Sequence, residues 1–294
     1  MKKVLCTFAN YPLSNGFERY RKEAEALGVF DKIYTYDEND LDATFRRRFG
    51  RFLYPYSRGY GYWSWKPIMI KKTLDGMQEG DILLYTDLGC YFNPKGKKRL
   101  DEYFQIVDHS PSGILGVRAQ ERNTSTRTEL RLPEYEWTKG DIFDYFGVRD
   151  DKSFTDTNQF EATIVFIKKC PASIAFVNEW VNVIYNHFDL ITDKPSKAPN
   201  LEGFKDNRHD QSIFSMLAKK YQISEFSRNE LCPTEFDNLD WNIMSDYPIW
   251  ARRDVYYKSM WHYRHRFSLR KYYNIVWNIK YFFKSILRPK TYHR

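Results

Sequence analysis

Cysteine is scarce in this chain, and what there is lies scattered. Cys6, Cys90, Cys170 and Cys232 are far apart and none forms a C-x-x-C pair, so neither a disulfide framework nor a zinc site is indicated, and a reducing cytoplasm is expected. The start, Met1-Lys2-Lys3-Val4-Leu5-Cys6-Thr7-Phe8-Ala9, carries two lysines but lacks the apolar length of a signal peptide. Internal repeats and low-complexity segments are missing, as is any recognised nucleic-acid-binding motif. Acid is nearly missing from one region: residues 251–294 hold twelve Lys/Arg against the single Asp254, a net of +11, so with +8 for the whole chain residues 1–250 carry −3. The basicity belongs to the tail.

What is present is core-forming material. A chain of 294 residues with 42% hydrophobic and 18% aromatic content has enough for one large domain or two small ones. In the tail, Leu269, Tyr272, Tyr273, Val276, Ile279, Phe283 and Ile286 recur at helical spacing, with Arg270, Lys271, Asn274, Lys284 and Arg288 largely elsewhere on the wheel. This predicts a basic amphipathic helix over 268–287, broken by charge and too short to span a bilayer. It suits the anionic inner face of the cytoplasmic membrane; the alternative is a helix docked on the protein's own core. Nucleic acid is not expected as a partner, because the body is mildly acidic.

Along the body, apolar runs alternate with helical periodicity. Val4 to Ala9, Lys32 to Tyr36, Gly113 to Val117 and Ala162 to Ile167 read as strands, and Gly16 to Leu27, Asp40 to Phe49, Pro67 to Met77, Pro171 to Tyr185 and Asp210 to Lys220 as helices. Tyr54 to Trp65 reads as an aromatic, glycine-containing loop, and Gln120 to Lys139 as a polar irregular segment that suits a mobile loop over a site. The alternation predicts an α/β fold with a mostly parallel, Rossmann-like mixed sheet flanked by helices.

The run Gly80-Asp81-Ile82-Leu83-Leu84-Tyr85-Thr86-Asp87-Leu88-Gly89-Cys90 is a short buried strand ending in a carboxylate and a glycine turn. Open α/β sheets bind ligands at that edge. Asp87 there can hold a hard divalent cation while Gly89 turns the backbone closely past it, or Asp87 caps the next turn. Thr7, Asn10 and Tyr11 follow the first strand at the same edge; Asn10 can bond a base or ribose and Tyr11 can stack on it, or both are turn residues before Pro12.

Several of these pieces resemble one family. Ser57-Arg58-Gly59-Tyr60-Gly61-Tyr62-Trp63-Ser64-Trp65-Lys66-Pro67, the Tyr85-Thr86-Asp87-Leu88-Gly89-Cys90 strand end, Asn158-Gln159-Phe160-Glu161-Ala162 and Arg208-His209-Asp210-Gln211-Ser212 occur in an order similar to bacterial nucleotide-sugar glycosyltransferases of the GT-A type, those of capsule and lipopolysaccharide assembly. The resemblance covers roughly residues 1–265. It implies a glycosyltransferase domain over 1–266 followed by a basic tail over 267–294, and transfer of a hexose, galactose-like by preference, from a UDP-sugar to an oligosaccharide or lipid-linked acceptor. It also implies Mn²⁺ or Mg²⁺ held by an Asp-x-Asp motif. The second acidic position of that motif is here Gly89, which leaves Asp87 alone and weakens the site; His262 is the candidate further ligand. A cation-independent enzyme would use Arg58, Lys66 or Arg264 to neutralise the diphosphate.

Sugar transfer builds oxocarbenium character on the sugar and negative charge on the departing diphosphate. Lys66, before Pro67 at a helix start, is placed to act with the helix N-terminus on phosphate oxygens, with Trp63 beside it. If the anomeric centre is inverted, a carboxylate takes the acceptor proton: Asp210 is the first choice and Glu161 the second, whereas a retaining enzyme needs neither as a base. As plain structure, Asp210 is a helix cap and Glu161 a solvated strand end. The alternatives are another nucleotide-sugar enzyme, a hydrolase or nucleotidyltransferase, and a non-catalytic protein that binds anionic surfaces through the tail.

Overall fold

Hydrophobic strands and amphipathic helices alternate through the chain and build the α/β architecture that the pattern predicts. The computed structural model describes residues 1–54, 57–119, 132–232 and 241–252. The strands are β1 (Lys3–Phe8), β2 (Lys32–Tyr36), β3 (Ile82–Thr86), β4 (Tyr91–Phe92), β5 (Ile114–Arg118), β6 (Phe160–Lys168), β7 (Ser224–Ser227) and β8 (Ile249–Trp250). The helices are α1 (Phe17–Leu27), α2 (Ala43–Phe49), α3 (Gly59–Tyr62), α4 (Trp65–Asp75), α5 (Lys97–His109), α6 (Glu134–Trp137), α7 (Gly140–Phe146), α8 (Lys152–Thr155), α9 (Pro171–Asn186) and α10 (Asp210–Lys220).

Six strands form one sheet in the order β2-β1-β3-β6-β5-β7, and β4 pairs with β8 in a separate ribbon. The β1–β2, β1–β3 and β5–β7 pairs are parallel; β6 runs antiparallel to both of its neighbours. The register aligns apolar side chains across the sheet. Leu5 stands opposite Ile33 and Leu84, Leu84 opposite Phe166, and Phe166 opposite Leu115, and this row packs with Tyr20, Leu27, Tyr103 and Phe104 of α1 and α5. Strand alternation turns Cys6, Leu83, Tyr85 and Val165 to the other face. There they meet α2, α4, α9 and α10 in a core with Phe45, Met69, Trp180 and Phe214. Fully burying each large side chain of this kind stabilises by roughly 1.5–3 kcal/mol. Among the described residues, no helix is long and apolar enough to cross a membrane.

The four strands read from their apolar runs are present within a residue or two, as is the one that ends before Asp87. Three expectations need correction. The helix expected over Asp40 to Phe49 begins only at Ala43, because Asp42 caps it by accepting from the Phe45 amide at 2.8 Å. Residues 132–139 are no loose loop: Glu134, Thr138 and Lys139 are buried, and the Glu134 carboxylate accepts from Thr138, Gln159, Ser215 and Lys219. The Tyr54-to-Trp65 loop contains a helical turn of unusual hand, described below. Residues 120–131, the tail helix expected over 268–287, His262 and Arg264 lie outside the described residues.

Candidate active site

Three charged side chains meet at the carboxyl edge of β3. Asp87 is the first residue past the strand, its amide bonded to the Thr163 carbonyl of β6 at 2.9 Å. Lys66 comes from the first turn of α4, and Asp210 opens α10. The Lys66 ammonium lies 3.3 Å from Asp87 Oδ1 and 3.3 Å from Asp210 Oδ2, and donates to the Ala162 carbonyl at 2.9 Å. Lys66 is 3% exposed and Asp210 also 3%. Tyr85, one strand period before Asp87, donates its hydroxyl to the same Oδ1 at 2.8 Å. One oxygen of Asp87 is thereby anchored from below. The other has no partner among the described residues, and the side chain stays 30% exposed.

This packing sets the protonation of the cluster. Burial raises the Asp210 carboxyl to about 7, against the pull of Lys66 and reinforced by the negative charge of Asp87. Burial by itself lowers the Lys66 ammonium, but Asp210 and Asp87 outweigh it and hold the amine above its ordinary value. The Tyr85 phenol is driven far up by burial and by Asp87, so it serves as a donor. Among the described residues Asp210 Oδ2 makes no well-directed hydrogen bond and is held by the charge contact with Lys66. A buried carboxylate so placed keeps a lone pair for an incoming donor.

Backbone strain surrounds the cluster. Gly59, Tyr60, Gly61, Tyr62 and Trp63 all have positive φ, between 49° and 88°, so α3 is a left-handed turn closed by Tyr62 N–H to Arg58 O at 2.7 Å and Trp63 N–H to Gly59 O at 3.0 Å. Each non-glycine residue held this way costs about 1–2 kcal/mol. Packing offsets that cost: Trp65 Nε1 donates to the Gly59 carbonyl at 3.0 Å, and the Trp65 ring stacks on Phe8 at 4.2 Å. His209, directly before Asp210, is also at positive φ, 59°. Its ring lies 5.2 Å from Tyr62 and 5.6 Å from Trp63, and Nδ1 donates to the Ile191 carbonyl at 2.7 Å. Burial, helped by Arg58, lowers its pKa to about 4, so His209 is neutral and hydrophobically packed. Strain of this kind persists where surrounding structure over-determines it, and it concentrates at functional sites.

The turn supports a first prediction. A Cβ on Gly59 would overlap the Trp63 indole at φ +57°, whereas Gly28, at φ +62°, faces open space. Gly59→Ala is therefore expected to lose clearly more stability than Gly28→Ala, whose penalty stays near 1 kcal/mol. Urea denaturation of the two variants compares them directly, and equal losses would remove the left-handed turn from the account.

The remaining candidate residues are distributed unevenly around this centre. Asn10 is buried and turned back on the Tyr11 carbonyl at 2.7 Å, while Tyr11 is 56% exposed with its amide on Glu38. Thr7, expected at the ligand edge, is fully buried beneath the sheet; alternation turns it to the α1 side, so it is a core residue. Lys66, expected on phosphate oxygens, already has three oxygen partners and is closed off from solvent, so it acts on the two carboxylates. Arg58 likewise bridges Asp193 at 2.8 Å and Asp206 at 2.6 Å. Glu161 is no solvated strand end: it is buried and paired with Arg228. It lies on the opposite face of β6 from its neighbours Phe160 and Ala162, which pack with the α10 core, so the two candidate bases are not brought together. Trp63 is half-buried against His209, and Gly89 sits in the turn after Asp87.

Three contributors escaped sequence reasoning. Tyr85 reads as one more apolar strand residue, and only its position two before Asp87 hints that it shares that side of the strand. Arg19 of α1 donates to the Leu88 carbonyl at 2.5 Å and the Cys90 carbonyl at 2.9 Å, and Glu23, one turn on, accepts from the Phe92 amide at 3.1 Å. These two side chains hold the backbone that follows Asp87.

The described donors do not by themselves suit Mn²⁺ or Mg²⁺, which take six or more oxygens in a full shell. Asp87 offers one free oxygen, its other oxygen and Asp210 already face an ammonium, and among the described residues no group of three His, Cys, Asp or Glu side chains converges.

No protein-family model and no curated protein matches this chain. Solved structures that are similar to it include a glycosyltransferase involved in glycosylation of the major capsid of PBCV-1, with a TM-score of 0.46 and 8% identity over 87% of this chain and 95% of that one. Mouse xyloside xylosyltransferase 1, in its apo form, gives 0.40 and 10% over 85% of this chain and 97% of that one. The glycosyltransferase GlyE of Streptococcus pneumoniae TIGR4 gives 0.41 and 11% over 100% of this chain and 66% of that one.

Proposed function

We propose that the protein is a glycosyltransferase that moves a hexose from a UDP-sugar to a saccharide acceptor in surface polysaccharide assembly, with its basic tail at an anionic membrane surface. The observation that supports this best is the Asp87–Lys66–Asp210 cluster at the carboxyl edge of β3, the edge where open α/β sheets take their ligands. The resemblance of the motifs that carry these three residues points the same way.

Each residue then has a defined task. Asp210, with a proton affinity near neutrality, accepts the acceptor hydroxyl's proton as that oxygen attacks the anomeric carbon from the face opposite UDP; the bond from that carbon to the β-phosphate oxygen breaks and UDP leaves with the electron pair, an inverting reaction. Lys66 keeps two carboxylates side by side in a buried place where their repulsion would otherwise protonate one of them. Asp87, anchored through Oδ1 by Tyr85 and Lys66, presents Oδ2 to the donor. Tyr11 offers an exposed ring for the base at the end of β1. No step here passes through a metal ion.

Calorimetry with UDP and GDP, with and without Mn²⁺, tests the reading on the wild type and on Asp87→Asn. UDP binding that is lost in Asp87→Asn at unchanged melting temperature is the expected result, and the Mn²⁺ arms report whether the tail completes a cation site. Failure of both nucleotides to bind under every condition would sink the proposal.

A further inference from the structure

A cavity of about 470 Å³ lies apart from the cluster, and none of its lining residues belongs to the Asp87–Lys66–Asp210 group. Its place follows from topology. Because β6 is antiparallel to β3, it ends at the far edge of the sheet, and α9 carries the chain back to the edge where α4 and α10 begin. The cavity is lined by the end of α2 and the segment after it (Arg48, Arg51, Phe52), by the end of α9 and the turn beyond it (Tyr185, Phe188), and by Lys197. The Tyr62 ring lies 6.3 Å from Phe188 and 5.2 Å from His209. A single ring thus separates the cavity wall from the residue preceding Asp210.

The wall is aromatic and the free charge is positive. Phe188 stacks on Phe49 at 4.5 Å and lies 4.8 Å from Phe52. The two acids of the lining are already engaged: Asp141 accepts from the Lys197 and Ala198 amides at 2.9 and 2.8 Å, and Asp189 pairs with Lys194 at 2.9 Å. Arg48 donates to the Tyr185 carbonyl. Arg51 lies over Phe52 at 4.7 Å and makes no ion pair among the described residues; Lys197 makes none either, although its charge reaches Asp189 and helps Lys194 hold that carboxyl low. A basic run at the end of α2 would complement the helix dipole in any protein. That explanation accounts for neither the open, half-walled hollow nor the stacked phenyl wall, and the volume falls in the range of small-ligand sites.

We propose that this cavity is a subsite for an acidic sugar unit, a pyranose bearing a carboxylate or similar anionic group, whose apolar face packs on Phe52 and Phe188 while the anion meets Arg51 and Lys197. That the unit belongs to the acceptor chain, some residues away from the reacting hydroxyl, rests on the glycosyl-transfer reading. Binding of the acidic sugar does not.

Hydrogen–deuterium exchange of the full-length protein with hyaluronan hexasaccharide, maltohexaose or inorganic pyrophosphate locates the binding, and calorimetry measures it. Hyaluronan is expected to protect residues 48–53 and 185–190. Arg51→Gln should weaken that binding about tenfold, the size of one charge-assisted bond. Arg47→Gln, equally charged but outside the lining, should leave it nearly unchanged, and Phe52→Leu should weaken it severalfold. Protection confined to residues 253–294, equal protection by maltohexaose, or equal protection by pyrophosphate with no effect of Phe52→Leu would each overturn the proposal. Retained protection in a protein that binds no nucleotide would leave this site standing and remove the transferase reading.

Discussion

Replacing Lys66 by methionine is expected to cost about 3–5 kcal/mol of stability at neutral pH, the usual consequence of removing one partner from a buried charge cluster. Total stabilities of roughly 5–15 kcal/mol make that a large fraction. Methionine fills much of the lysine volume, so a cavity is not the cause. The cause is that Asp87 and Asp210 lose the cation they share, while the Ala162 carbonyl loses its donor. The loss has a defined pH dependence. Asp210 already has a folded pKa raised to about 7 above an ordinary value near 4, and without Lys66 it rises further. A group whose folded pKa is raised stabilises most below its unfolded pKa and loses that contribution as pH rises through the folded value. Lys66→Met should therefore be least damaged near pH 4 and most damaged above pH 7, and adding Asp210→Asn should restore part of the loss. Urea denaturation across that range measures both effects; a loss under 1 kcal/mol that does not vary with pH would mean the cluster is not electrostatically coupled.

Asp210→Asn should separate activity from stability. Amide for carboxylate preserves shape and leaves a neutral Asp87–Lys66 pair where the cluster carried a net negative charge, so stability is expected to hold or rise. Turnover is expected to fall about 10²- to 10⁴-fold, the range for loss of a positioned base, with UDP binding retained. In the wild type, the rate should climb with pH until about 7 and then level, because only ionised Asp210 accepts a proton. That limb should vanish from the residual activity of Asp210→Asn. A variant that keeps both its rate and the limb would move the base elsewhere. A stability gain at the expense of function would be the ordinary trade-off of a site that stores unfavourable charge.

The parts of this molecule that were legible in advance are those governed by local pattern. Runs such as Ile82 to Tyr85 or Ala162 to Ile167 have nowhere to go but a buried sheet, and Pro171 marks its helix start through its fixed φ. Asp87 and Asp210 were found because strand ends and helix starts are visible in sequence. The helix Lys97–His109 was missed although Leu100, Tyr103, Phe104 and Val107 carry its signal at spacings of three and four. Other features had no local signature. The proline after Lys66 suggested an exposed helix start, and only tertiary packing shows that β6 and α10 close over it. Glycines at 59 and 61 announced a turn, but the packing of its left-handed residues Tyr62 and Trp63 involves His209, distant in sequence by about 150 residues. Glu161 reads as a strand-end carboxylate, and its partner Arg228 comes from beyond β7.

The ribbon formed by β4 and β8 has a consequence for the order in which this edge of the sheet comes into being. Tyr91 and Phe92, just past the turn that carries Asp87, pair with Trp250 and Ile249, and the Ala251 amide reaches back to the Leu231 carbonyl at 2.8 Å. The guanidinium groups of Arg19 and Arg252 both lie over the Tyr91 ring, at 4.2 and 4.9 Å from its centre. Translation delivers Asp87 well before the strand that pairs behind it. During synthesis the nascent chain can assemble β1, β2 and β3 while the turn behind them still lacks its outer strand, and the ribbon closes only once residues 249 and 250 have been made.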